Sequence, residues 1–93
     1  MKLGPHGTFL VEFTMTYADD QISRCDFDMD YSGYVIEHFP GFERETPRLA
    51  AKFARTVDRV CSDCGWMTDD AFVCAICDAL DEFFGTPNFS DIV

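Results

Sequence analysis

The stretch Cys25-Asp-Phe-Asp-Met-Asp-Tyr-Ser-Gly-Tyr-Val-Ile-Glu37 decides how the chain is read. Asp26, Asp28 and Asp30 alternate with Cys25, Phe27, Met29 and Tyr31. Successive side chains of a strand point to opposite faces, so the alternation predicts an extended segment with one face for a core and one for something positive. Ser32-Gly33 has the small, flexible chemistry of a tight turn, and Tyr34 to Phe39 is rich in β-formers. A hairpin follows.

Upstream, Thr8 to Tyr17 alternates in the same way, with Phe9, Val11, Phe13, Met15 and Tyr17 on one side and Thr8, Leu10, Glu12, Thr14 and Thr16 on the other. Ala18 to Gln21 supplies a turn. Three strands are therefore expected, at about 8–17, 22–31 and 34–39, paired as an antiparallel meander. Matching the apolar faces sets Phe13 opposite Phe27, Val11 opposite Met29, and Met29 opposite Ile36. That register lines up Glu12, Asp28 and Glu37 across the sheet, and like charges directly opposite one another are destabilising. Such a row asks for a purpose.

Downstream, Pro40 to Glu45 reads as a connector, and Thr46-Pro47 as a helix start in which the Thr hydroxyl caps free amides. Leu49, Phe53, Val57, Val60 and Cys64 recur at three- and four-residue steps, which predicts a helix over about 47–64 ending at Gly65. Thr68-Asp69-Asp70 opens a second over about 69–84, stopped by Gly85 and Pro87. The short link between them makes the helices antiparallel neighbours. In the tail, Phe89 and Ile92 are expected to dock back on the body. The expected architecture is a single α+β domain over 1–93: a three-stranded antiparallel sheet, then a two-helix hairpin packed on one face.

Seven Lys and Arg stand against seventeen Asp and Glu, a net charge of -10 that argues against binding nucleic acid or an anionic membrane directly. A partner should be basic. Salt adaptation or plain solubility explains the same charge more blandly. No apolar run has the length of a signal peptide or a membrane span, so a cytoplasmic protein is expected. In a reducing compartment the five Cys read as core residues or metal ligands before they read as disulfides.

Four constellations carry the chemistry. The carboxylates Glu12, Asp26, Asp28, Asp30 and Glu37 form the expected outer face of the sheet, suited to a basic protein surface. Asp26, Asp28, Asp30, Ser32 and Glu37 also fall at positions 1, 3, 5, 7 and 12 of a loop that resembles the EF-hand, although Tyr31 stands where that loop needs glycine. Cys61, Cys64, Cys74 and Cys77 give C-x2-C-x9-C-x2-C, a spacing that resembles four-cysteine zinc sites and suggests a small zinc-binding interaction domain instead. The two amphipathic helices compete with that reading, since small apolar core positions describe three of the four thiols equally well. His6 and His38 have no nucleophile beside them in sequence, and no P-loop, nucleophile elbow or zinc-protease motif occurs, so no enzyme is expected.

In size, charge and single-domain build, over its whole length, the chain resembles the small anti-defence proteins of phages and mobile elements, anti-CRISPR proteins in particular. The resemblance is one of type, without a shared motif. It implies a non-catalytic inhibitor that covers the basic nucleic-acid channel of a CRISPR effector complex with the face formed by Glu12, Asp26, Asp28, Asp30 and Glu37. Ten Phe, with Val35 and Phe39 beside the carboxylates, leave a homodimer open as well.

Overall fold

Pro5 has no N–H to leave unpaired, and it occupies the first position of a helix rather than a turn. In the computed structural model, which describes residues 3–85, this helix is α1 (Pro5–Ala18). Its buried residues are Gly7, Leu10, Val11, Thr14 and Tyr17, a helical spacing in which Leu10 and Thr14 are fully enclosed. Thr14 is tolerated there because its hydroxyl donates to the Leu10 carbonyl one turn earlier, at 2.9 Å. The helix closes with the amide of Gln21 on the Thr16 carbonyl and that of Asp20 on Tyr17, while Asp20 adopts the left-handed conformation (φ 63°). Asp is among the few non-glycine residues that accept it.

The decisive stretch lies inside α2 (Arg24–Glu45). Ser23 caps it: its hydroxyl accepts from the Asp26 amide at 3.1 Å. Asp26 sits in the first turn and Arg44 in the last, each at the end of the macrodipole that favours its charge. Pro40 removes one backbone donor on the exposed side, and the helix continues across it to Glu45. The inward residues are Phe27, Tyr31, Gly41 and Phe42, with Tyr34 and His38 half-buried between them. These steps of three and four residues are the period of a helix.

Thr46 alone separates α2 from the next rod. That rod begins as α3 (Pro47–Phe53), loosens into a π-helical turn at Ala54–Asp58 and ends as α4 (Arg59–Ser62). A single 3-10 turn, Cys64–Trp66, leads to α5 (Asp69–Phe84), capped by the Thr68 hydroxyl on the Ala71 amide and ended by Gly85 at φ 65°. α1 packs chiefly on α2, the rod from α3 to α4 packs on α2 and α5, and α5 returns to α1. Aromatic rings fill the centre. Phe27 lies within 4.7–6.0 Å, centroid to centroid, of Phe13, Tyr17, Tyr31 and Phe72, and Phe53 links Phe42 to Phe83. Arg24 ties the start of α2 to the start of α5: it donates to the carbonyls of Met67 and Cys64 and to Asp69 at 2.8–2.9 Å, over the Phe72 ring.

The structure overturns the α+β expectation. Among the described residues there is no strand, and the segments expected as strands at 8–17, 22–31 and 34–39 fall in α1 and α2, apart from the loop between them. Ser32-Gly33 is mid-helix, not a turn. Pro40 to Glu45 is the last turn of α2, not a connector. β-propensity measures how side chains fit a half-buried pleated surface, so tertiary packing can reverse it. Here the helix buries Leu10, Phe27, Tyr31 and Phe42 together, and it separates the carboxylates that a sheet would have stacked. The Thr46 cap is also corrected: its hydroxyl makes no cap bond and is buried without a hydrogen-bond partner among the described residues. The docking expected of Phe89 and Ile92 lies outside the described residues.

Candidate functional site

A helix turns each residue by about 100°, so the carboxylates of residues 26–37 cannot share one face as they would on a strand. Asp26, Asp30 and Glu37, spaced by four and seven, form one exposed stripe of α2 about 16 Å long. Asp28 points to the other flank, where its carboxylate lies 3.7 Å from the Arg24 guanidinium. Glu12 is exposed on the outward side of α1. The single five-carboxylate face expected from the sequence is thus split in three.

What joins the stripe was not expected. Met29 (73% exposed) and Ile36 (78% exposed) stand outward along the middle of α2, next to Asp26, Asp30 and Glu37. Val35 and Phe39, expected to be exposed, are half-buried instead. Asp26 and Asp30 form no ion pair among the described residues, and Glu37 approaches only His38, at 4.0 Å. A row of positive charge lies on the rod of residues 47–62: Arg48, Lys52, Arg55 and Arg59 recur at steps of four, three and four, and among the described residues none of them is in an ion pair. That spacing was visible in the sequence and marks a basic row, two members of which, Arg55 and Arg59, line a groove with Asp78 and Glu82 of α5.

On the other flank of α2 a cleft of about 290 Å³ opens toward the rod, lined by Tyr31, Ser32, Val35, Ile36, Asp58, Cys61 and Ser62. Its floor is polar. The Tyr31 hydroxyl donates to Asp58 Oδ1 at 2.9 Å, and Asp58 is the last residue of the π-helical turn. A π-turn inserts a residue into the helical phase and often lies at functional sites. Burial pushes the Cys61 thiol up to about 12 and also raises the Tyr31 phenol, with the Asp58 carboxylate adding to both. At neutral pH Cys61 is therefore a protonated, weakly nucleophilic thiol.

Those two shifts fix an alkaline dependence. The folded chain keeps both protons where the unfolded chain releases them, so the stabilisation is complete below the thiol's ordinary value of 9.0 and is lost as the pH rises toward about 12. Cys61 contributes a slope of about 1.4 kcal/mol per pH unit from its ordinary value of 9.0 upward, and Tyr31 a similar slope from its ordinary value of 10.0. Urea midpoints should hold up to about pH 8 and fall above 9, and Cys61→Ala should flatten the fall. A midpoint that stays constant to about pH 11 would contradict this placement of Cys61 and Tyr31.

The zinc and calcium constellations are not assembled. Among the described residues no three His, Cys, Asp or Glu side chains are placed to hold a metal ion, and all five Cys are free. Cys61 faces Tyr31 of α2, Cys77 borders a groove with Met15 and Ala18 of α1, and Cys74 is exposed. The ligand pattern on residues 26–37 winds around a helix instead of a loop. His6 and His38 do meet, Nδ1 to Nδ1 at 2.8 Å, with Phe9 stacked on His38 at 4.1 Å. The Glu45 carboxylate accepts from the His6 amide at 3.1 Å, so this group fastens the start of α1 to the end of α2.

Comparison with protein-family models, curated proteins and solved structures finds no match. Among the described residues the fold is all-helical, with an exposed acidic stripe on α2. Among the described residues no helix is long and apolar enough to cross a membrane.

Proposed function

We propose that the chain is a non-catalytic, cytoplasmic inhibitor that docks the outward face of α2 on a basic protein surface, of the kind that otherwise holds nucleic acid. A CRISPR effector complex is the partner that the resemblance in size and charge suggests. The observation that carries the reading is the pairing on one helix face of two large exposed apolar residues, Met29 and Ile36, with the unpaired carboxylates Asp26 and Asp30. Two large apolar side chains on the same side of one helix as a row of carboxylates match the apolar centre and charged rim of a contact surface. Electrostatic complementarity supplies encounter rate and choice of partner, and the apolar centre supplies affinity.

The test is competition. Purified CRISPR effector complexes are incubated with labelled target DNA and increasing amounts of the chain, and bound DNA is measured. The wild type should displace DNA from a susceptible complex. Asp26→Asn/Asp30→Asn/Glu37→Gln should lose most of that effect and remain folded, because all three are exposed on one helix. A control carrying the same charge change on α5, Asp70→Asn/Asp81→Asn/Glu82→Gln, should compete as the wild type does. If the control loses as much as the stripe variant, net charge alone is responsible and α2 is not the docking face. No displacement across a panel of effector complexes would exclude that class of partner.

A further inference from the structure

We infer that the cleft between α2 and the π-helical turn receives an arginine side chain of the basic partner, with its guanidinium on Asp58 and its methylene stem along Val35 and Ile36. This rests on the proposed docking of α2 and names the group that enters there. Three features point to it. The cleft is about 290 Å³, at the lower limit of small-molecule pockets, a scale that suits a single side chain. Val35 and Ile36 form an apolar wall for an aliphatic stem, and long cationic side chains bury such stems while keeping the charged head on a polar group.

Asp58 supplies that group. One of its oxygens accepts from the Tyr31 hydroxyl, which holds the carboxylate in place, and the other has no hydrogen-bond or ion-pair partner among the described residues. A fixed carboxylate in a partly desolvated cleft favours a planar guanidinium over a more strongly hydrated ammonium. Ile36 belongs both to this wall and to the exposed face of α2, so the cleft is continuous with the docking face. The π-turn ends at Asp58 and sets the phase at which it meets Tyr31.

The experiment is an NMR titration of the full chain, labelled with 15N at low ionic strength, with N-acetyl-arginine amide as the probe. Saturable shifts are expected at Tyr31, Val35, Ile36, Asp58 and Cys61. The neutral isostere N-acetyl-citrulline amide should bind about tenfold more weakly or worse, as loss of one charge-assisted hydrogen bond implies. That comparison needs no variant. Asp58→Asn keeps an acceptor for Tyr31 and removes the charge, and it should weaken the arginine probe to a similar degree. Equal binding of the two probes, or an unchanged Asp58→Asn, would overturn the assignment. Shifts confined to Asp26, Asp30 and Glu37 would also overturn it and would leave the docking of α2 standing. An arginine-binding cleft together with a stripe variant that competes normally would refute that docking and spare the cleft.

Discussion

Phe27→Ala is expected to lower the stability of the chain by about 3–5 kcal/mol, the usual loss for a large buried aromatic. Met29→Ala, two residues away, should change it by less than about 0.5 kcal/mol. Phe27 is fully enclosed and stacks on Phe13 and Tyr17, whereas Met29 stands 73% exposed on the outer side of the same helix. On a strand the two would share the core face and both truncations would cost several kcal/mol. Urea denaturation of the two variants decides it. Comparable losses at the two positions would return residues 25–31 to a sheet.

The glycines of α2 should respond to alanine with opposite signs. Gly33 is exposed, has helical backbone, and a Cβ there would meet nothing within 4 Å, so Gly33→Ala should stabilise by about 0.5–1 kcal/mol. Gly41 is buried where α1 crosses α2, and a Cβ on it would run into the His6 ring. That ring is held by the bond to His38, and the crossing is equally tight at Gly7, whose Cβ would lie 2.7 Å from the Phe42 ring. Gly41→Ala should therefore destabilise by about 1–3 kcal/mol through overpacking, despite the better helix former. Thermal melts of both variants against the wild type read the signs directly. If Gly33→Ala were destabilising, the residue would be in a turn that needs left-handed backbone.

The particular residues show why α1 and α2 read as strands. Phe27 and Tyr31 are four apart, and that spacing puts them on one face of a strand and on one face of a helix alike. Val11 and Tyr17 are equally ambiguous, since a spacing of six also leaves them within the apolar arc of a helix. The discriminating residues are Met29, which a strand buries, and Leu10 and Thr14, which a strand exposes. A Thr in a run of β-formers looks like strand chemistry until its hydroxyl is seen on the carbonyl four residues back. The helix starts were local and legible: Pro5 at a first position, and Ser23 three residues before Asp26. Tyr-Ser-Gly-Tyr outweighed them as an apparent hairpin turn.

The candidate site shows the same division. Asp26, Asp30 and Glu37 could be named as a surface from the sequence because charged residues seldom enter a core. That Asp28 belongs to Arg24, that Met29 and Ile36 join the stripe, and that Tyr31, Asp58 and Cys61 meet could not be named. Each depends on the helical phase, and the last depends also on a π-turn that no residue pattern announced.

By itself the sequence determined the charge of the chain, the acidity of residues 26–37, the aromatic supply for one core, and the helices expected at about 47–64 and 69–84. Those properties are set by composition or by neighbours within a turn of chain. Only the tertiary structure decided between strand and helix for the first half, and so decided which carboxylates share a face. The local signals for the two were close to balance. Packing of Leu10 and Phe42, which the sheet would leave on its outer face and in a connector, tipped it, because their burial outweighs differences in backbone propensity of a few tenths of a kcal/mol per residue.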